Sequence, residues 1–327
     1  MTSDGQVAAL SEFEIIRRYF TRRAHGAVLG VGDDAAIVRA RRGWELVVTT
    51  DMLVAGRHFR ADADPEKLGH KALAVNLSDL AAMGATPRWA TLALALPRAD
   101  ARWLAAFSRG FMRLARRHGV DLIGGDTTRG PLNITVQAMG EVPAGAALRR
   151  DGARVGDDIW VSGALGDAAL ALSARRLSLT RGERARAGER LDVPTPRIAL
   201  GEGLRGVARS AIDVSDGLIA DLGHICERSR VASVVDLNRI PASAVVKRHL
   251  QRAAARQALL AGGDDYELVF TAGRARRAAI RRLSRRLRLK LTLIGSITRR
   301  RGSGTPVTVL DPAGRPIVTG RKGYEHF

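Results

Sequence analysis

Lys71-Ala-Leu-Ala-Val-Asn-Leu-Ser-Asp-Leu-Ala-Ala-Met-Gly84 is the stretch on which the reading of this chain turns. Asp64 stands where a helix N-cap belongs and Pro65 at the first helical position. The helical pattern runs from Leu68 through Met83 and stops at Gly84. Ala72, Leu73, Val75, Leu77, Leu80 and Ala81 make the helix apolar on most faces, which predicts that it is largely buried. Asp79 interrupts that surface, three and four residues from Asn76 and Val75. A carboxylate inside a buried helix needs a cation or strong hydrogen-bond donors, and metal coordination is the expected reason for this one.

Further acids stand beside glycine or a hydroxyl residue at Gly30-Val-Gly-Asp-Asp34, Thr49-Thr-Asp51, Gly124-Gly-Asp126 and Asp213-Val-Ser-Asp216. Carboxylates that converge repel one another unless cations neutralise them, and Mg²⁺ takes a few carboxylates, waters and the oxygens of a polyphosphate. The set therefore predicts a magnesium-phosphate site and a chain that handles ATP. There is no Gly-x-x-x-x-Gly-Lys-Ser/Thr loop and no protein-kinase set of Gly-rich strand pair, His-Arg-Asp and Asp-Phe-Gly. A Gly-x-Ser-x-Gly elbow is also missing, which leaves a Ser/His/Asp hydrolase without support.

At 327 residues, 46% of them hydrophobic, the chain is long enough for two domains with their own cores. Its single cysteine, Cys226, excludes an internal disulfide and a cysteine-rich metal cluster and suits a reducing compartment. Met1-Thr-Ser-Asp-Gly-Gln6 has no basic region leading into an apolar one, and no stretch approaches the ~18 apolar residues of a membrane span. Cytoplasmic residence, with no membrane contact, is the expectation. The formal charge of +20 invites a nucleic-acid reading. However, the arginines are densest over 274–301, where Ala275, Ala279, Leu283 and Leu287 recur at i+4 spacing, the pattern of an amphipathic helix with a solvated basic face. No aromatics are interleaved for base stacking, so no nucleic-acid partner is expected, and the charge reads as arginine-rich surface composition with some long-range attraction for anionic substrates.

Elements alternate along the chain, which predicts an α/β (α+β) fold in two domains, residues 1–145 and 146–327, joined near Pro143-Ala-Gly-Ala-Ala. In the first half, residues 12–20 begin a short helix and residues 45–50 read as a strand delivering Asp51 at its C-terminal end. A helix over about 101–118 leads into a short strand, 120–123, that ends at Gly124, and 132–138 alternate with the period of a half-buried strand. In the second half, 158–162 read as a strand, 177–192 as a polar loop or frayed helix, and Leu218, Leu222 and Ile225 as one face of a helix. Gly262-Gly-Asp-Asp265 precedes a further strand.

Read together, the segments resemble the thiamine-monophosphate kinase family, within the superfamily of aminoimidazole ribonucleotide synthetase and selenophosphate synthetase. The resemblance rests on Gly30-Val-Gly-Asp-Asp-Ala-Ala36, Thr49-Thr-Asp-Met-Leu-Val-Ala-Gly-Arg-His-Phe59, Lys71 to Gly84 and Leu122-Ile-Gly-Gly-Asp-Thr-Thr-Arg-Gly130. It continues through Ala211-Ile-Asp-Val-Ser-Asp-Gly-Leu218, Gly262-Gly-Asp-Asp-Tyr-Glu-Leu268 and Lys322-Gly-Tyr-Glu-His-Phe327, and so covers nearly the whole chain in order.

The resemblance implies two α/β domains of the aminoimidazole ribonucleotide synthetase-like fold, the N-terminal sheets pairing across a homodimer. It implies transfer of the γ-phosphoryl of ATP to thiamine monophosphate, with Mg²⁺, and no catalytic base. By the same likeness Asp33, Thr49, Thr50, Asp51, Asp79, Asp126, Asp213 and Asp216 hold metal. Gly125, Asp126, Arg150 and Ser215 meet the nucleotide, and His58, Glu267 and Tyr324 meet the substrate. Taken alone, each aspartate reads more simply as a loop or cap residue. Asp216 also stands where it would cap the helix after Gly217, and Arg149 competes with Arg150 for one role. An aminoimidazole ribonucleotide synthetase-like enzyme is the alternative within the superfamily, and a basic nucleic-acid-binding protein the alternative outside it. The reactive cysteine near the N-terminus of selenophosphate synthetases and the C-terminal one of the hydrogenase-maturation relative have no counterpart here.

Overall fold

In the computed structural model, which describes residues 10–173, 177–302, 304–317 and 323–324, the predicted helix runs over Pro65–Ala82. Asp64 caps it, its Oδ1 accepting from the Glu66 and Lys67 amides at 2.8 and 3.1 Å. Its end is a Schellman turn: Gly84 N–H donates to Ala81 O and Ala85 N–H to Leu80 O, with Gly84 at φ +67°. Leu68, Ala72, Leu73, Val75, Leu77, Leu80 and Ala81 are all buried, as the pattern predicts.

The chain divides into two units. The first comprises residues 1–42, 48–76 and 87–140, and the second residues 43–47, 77–86 and 141–327. Strands β1 (Ala27–Leu29) and β2 (Ile37–Val38) pair antiparallel around the first acidic loop. Trp89, Ile123 and Met139 form a small cluster against which Ala27 and Val38 of this hairpin pack. The strands β3 (Trp44–Val54), β4 (Thr86–Leu96), β5 (Asp121–Arg129) and β6 (Asn133–Pro143) form a sheet in the order β3-β6-β4-β5. One face is buried through Leu92, Leu94 and Leu96 of β4 and Ile134, Val136 and Ala138 of β6. The helix Ala101–His118, capped by Asp100, buries Leu104, Phe107, Phe111 and Leu114 on one stripe. Phe107 and Phe111 are thereby core residues.

Two strands run further than their sequence pattern predicts. β3 continues past Asp51 to Val54, so Asp51 lies within the strand rather than at its end. β5 continues through Gly124-Gly125-Asp126 to Arg129, with Leu92 of β4 paired to Gly125 and Ala93 to Asp126. Glycine makes the second extension possible. Gly125 sits at φ +150°, and a Cβ there would stand 1.9 Å from Leu92 O, so any side chain would break the ladder.

In the second unit β7 (Asp158–Ser162), β8 (Ser210–Asp213), β9 (Ala232–Asp236), β10 (Leu268–Ala272), β11 (Leu291–Thr298) and β12 (Val307–Leu310) form a sheet ordered β12-β9-β11-β7-β10-β8. Only β12 and β9 pair parallel. Every residue of β7, β8 and β10 is buried, and Val269 of β10 stands between Val161 and Ile212 in register. The helix Leu218–Arg228 buries Leu218, Leu222 and Ile225 in the same core.

Of the two readings of residues 177–192, a polar loop or a frayed helix, the helix holds over Arg181–Asp192. It has no apolar stripe to announce it. A capping box between Thr180 and Glu183 starts it, and its buried Glu183 accepts from Arg248 at 2.6 Å. The arginine-rich helix is shorter than its charge pattern, Arg277–Leu287, because residues 291–298 pair into β11. Ile280 and Leu283 are its buried positions.

Asp265 joins two loops of this unit, both carboxylate oxygens lying within 3.0 Å of the Gly166 amide nitrogen. Burial pushes this carboxyl well above the ordinary 3.8, with the Gly166 hydrogen bond acting the other way. A raised acid favours the fold fully below its unfolded pKa and loses that contribution as pH rises through the folded value. In Asp265→Asn this loss is removed, so the melting temperature of the variant should gain on that of the parent as pH rises from about 4 into the neutral and alkaline range. A constant difference across that range in thermal melts would contradict the raised carboxyl.

Candidate active site

In the first unit, Asp33 is exposed in the loop between β1 and β2, its Oδ1 accepting from the Asp34 amide at 3.0 Å. Along β3 side chains alternate. Thr49 and Asp51 share one half-buried face, while Thr50 falls on the other with exposed Leu46, Val48 and Met52. The strand therefore does not bring the Thr50 hydroxyl to Thr49 and Asp51. Asp51 is placed by a buried asparagine: its amide donates to Asn76 Oδ1 at 3.0 Å, and Asn76 Nδ2 donates to Ala72 O at 3.1 Å. His58 closes the turn after β3, its Nδ1 accepting from the Val54 amide at 3.0 Å, which leaves the ring proton on Nε2. Gly125 and Asp126 are exposed on β5. β3 and β5 are the two edges of the sheet, so two strands, about 14 Å of ladder in all, separate Asp51 from Asp126.

In the second unit Asp213 ends β8 nearly buried, and Ser78 Oγ donates to its Oδ2 at 2.7 Å. Asp79, the next residue along the helix, is half-buried rather than enclosed; the fully buried polar groups of the helix are Asn76 and Ser78. The turn Asp213-Val-Ser-Asp-Gly217 is held along its whole length. Val214 N–H donates to Glu267 O and Tyr266 N–H to Val214 O, while Asp264 N–H donates to Ser215 O and Tyr324 N–H to Asp216 O. On its other side, Asp221 Oδ2 accepts from the amides of Ser215, Asp216 and Gly217 at 3.1, 3.1 and 3.0 Å. Burial, and then the neighbouring Asp216 charge, push Asp221 up to about 7. Gly217, rather than Asp216, is the N-cap of the following helix.

Tyr324 is 44% exposed beside this turn; its neighbours Lys322, Glu325, His326 and Phe327 lie outside the described residues. Of the two competing arginines, Arg149 is held by Asp151 through contacts of 3.0 and 2.5 Å, which leaves Arg150, exposed, as the candidate for an anion. Glu267 does not present an open carboxylate. It is fully buried, accepting from Ser162 Oγ at 2.5 Å, Arg190 at 2.7 Å and Arg197 Nε at 2.7 Å. A substrate contact through Glu267 itself would require one of these donors to leave.

Sequence reasoning missed Asp221, Ser78, Arg190 and Arg197. Ser78 stands next to a candidate ligand and Asp221 four residues beyond Gly217, but neither spacing announces a partner so distant in the chain or a reach back into the turn. Among the described residues no group of three or more His, Cys, Asp or Glu side chains stands ready to hold a metal ion. No helix among them is long and apolar enough to cross a membrane. The described cleft of about 340 Å³ in the first unit belongs to Tyr19, Met112 and four arginines, two of them paired with Glu66, and to none of the acidic motifs.

Comparison with known proteins supplies the relationship. Residues 32–142 match the family described as AIR synthase related protein, N-terminal domain, and residues 154–307 match its C-terminal domain. The chain is 44% identical over 327 residues to the thiamine-monophosphate kinase of Salmonella typhimurium, covering 98% of this chain and 99% of that protein. Over 325 residues it is 44% identical to the same enzyme of Escherichia coli K12, with the same coverage. The crystal structure of thiamine-monophosphate kinase from Stenotrophomonas maltophilia superposes with a TM-score of 0.82 at 49% identity, over 91% of this chain and 94% of that one. AaThiL complexed with AMPPCP and TMP superposes with a TM-score of 0.75 at 30% identity, over 96% of each chain. With relatives this similar over their full lengths, the chain belongs to the thiamine-monophosphate kinase family.

Proposed function

We propose that this chain transfers the γ-phosphoryl group of ATP to thiamine monophosphate, yielding thiamine diphosphate and ADP. The observation that carries the reading is the pinned turn Asp213-Val-Ser-Asp-Gly217, whose two acids are placed by the backbone and by Ser78 in a chain of this family. The chemistry asks little else of the side chains. A phosphate monoester has a second pKa of about 6, so the acceptor oxygen is already ionised near neutrality and no general base is needed. What it needs is cancellation of its repulsion from the triphosphate and alignment in line with it.

The donors present fit magnesium. They are hard carboxylate and hydroxyl oxygens without thiolate, and among the described residues they form no closed cage of three or more. That suits an ion that takes one or two protein carboxylates and completes its shell with waters and phosphate oxygens. Asp33, Asp51, Asp79, Asp126, Asp213 and Asp216 would hold Mg²⁺, with Thr49 adding an oxygen from the Asp51 face. Magnesium so held neutralises the donor and acceptor phosphates and orients them. Arg150, Ser215 and the bare backbone at Gly125 meet the nucleotide. His58 and Tyr324 meet thiamine monophosphate, and Glu267 acts through Arg190 and Arg197, which it holds in place. The formal charge of +20 raises the local concentration of both anionic substrates.

The protein acts as a homodimer in the cytoplasm on this reading. Edge strand β3 exposes Leu46, Val48 and Met52 at 44%, 50% and 54%, an apolar row that a second sheet would cover. The buried, free Cys226 suits a reducing compartment.

Chromatography of the products after incubation with ATP, Mg²⁺ and either thiamine monophosphate or thiamine tests the activity. Thiamine diphosphate should form from the monophosphate alone and disappear with chelator. Turnover of the purine-pathway acceptor instead would move the chain to the synthetase reading. Asp51→Asn and Asp213→Asn should each lower kcat by more than about 100-fold, since even outer partners of metal ligands cost 10- to 100-fold. Retention of full activity by either variant would remove that residue from the metal set. Val48→Glu with Met52→Glu should convert the dimer to monomer in sedimentation; an unchanged sedimentation coefficient would place the interface elsewhere.

A further inference from the structure

Asp221 takes the N–H groups of Ser215, Asp216 and Gly217 on one carboxylate oxygen. An acid in the first turn of a helix ordinarily serves that helix, by accepting from its own first amides or by meeting its dipole. Here the helix is Leu218–Arg228, and every amide that Asp221 accepts from lies before its first residue. The carboxylate reaches back past the N-cap and is spent on the turn. It is 2% exposed, so the three donors meet it away from water. On the far side of the same peptide groups, Ser215 O and Asp216 O accept from the Asp264 and Tyr324 amides. Each peptide plane of the turn is therefore set from both sides, and the direction in which Asp216 leaves the backbone is set with it.

We propose that Asp221 is a positioning residue for metal binding: without touching metal or substrate, it holds the Asp213 to Gly217 turn in the geometry that presents Asp213 and Asp216. This rests on the assignment of those two aspartates to magnesium. Preorganisation by an outer partner sets how tightly an ion is held more than what it does once bound. Loss of Asp221 should therefore raise the magnesium requirement and leave the saturated rate nearly intact.

Asp221→Asn keeps the shape with a weaker, neutral acceptor, and Asp221→Ala removes the acceptor. Thermal melts establish that each variant is folded. Two readouts then apply. Hydrogen exchange of the amides of residues 215–217, measured without metal or nucleotide, should accelerate in both variants. The Mg²⁺ concentration for half-maximal activity should rise about 10- to 100-fold, with kcat at saturating Mg²⁺ and KM for thiamine monophosphate within about twofold of the parent. A role confined to stability would lower the melting temperature and move neither readout. Unchanged exchange in a folded variant overturns the inference, as does a kcat loss that excess Mg²⁺ does not restore. If the parent itself fails to phosphorylate thiamine monophosphate, the functional reading fails, and the exchange measurement still decides whether Asp221 holds the turn.

Discussion

A carboxylate removed from water is tolerated only where donors meet it, and the second unit is organised around acids that are met. Glu267 gathers Ser162, Arg190 and Arg197 from distant parts of the chain. Asp158, at the start of β7, is clasped by Arg277 through contacts of 2.6 and 2.7 Å, and Asp157 by Arg209 at 2.6 Å. Asp221 and Asp265 are met by backbone amides instead. The same partition explains part of the basic excess. Several arginines are neutralised inside the fold, and others stand exposed on helices such as Arg277–Leu287 or in loops.

The acids proposed to hold magnesium are, with one exception, less enclosed. Asp33 and Asp126 are exposed, and Asp51, Asp79 and Asp216 are half-buried. Asp213 is the intermediate case, nearly buried, with the Ser78 hydroxyl donating to its Oδ2. A hydroxyl orients a carboxylate without cancelling its charge, which is what a cation site requires. Backbone geometry does the rest of the placing: Asn76 substitutes for a ladder partner at Asp51, and the bare Gly125 lets β5 carry Asp126 along the edge of the sheet.

Family membership and these placements support each other at different levels. Likeness over the full chain to thiamine-monophosphate kinases carries the fold and the reaction class. The packing around Asp213 to Gly217 and around Glu267 supplies physical reasons for particular residues, including some that no motif singles out.

Periodicity and caps were enough to read the Pro65–Ala82 and Ala101–His118 helices and strands β7 and β10 of the second unit, because local hydrogen bonding and one buried face decide such elements. The acidic motifs were legible for the same local reason, each lying within a few residues of its glycine or hydroxyl. What could not be read was anything whose partner is distant in sequence. The Arg181–Asp192 helix has no stripe and is held by a cap and by ion pairs to residues beyond it. β5 passes through two glycines because β4 stands beside it. Asp221 turns away from its own helix, and Glu267 is closed off by arginines about seventy residues earlier in the chain. The sequence by itself determined the family and which acids stand beside glycine or a hydroxyl residue. Only the tertiary structure decided which acids are enclosed by donors inside the fold and which are exposed, because that choice depends on donors supplied by other elements and on burial that exists only once they pack.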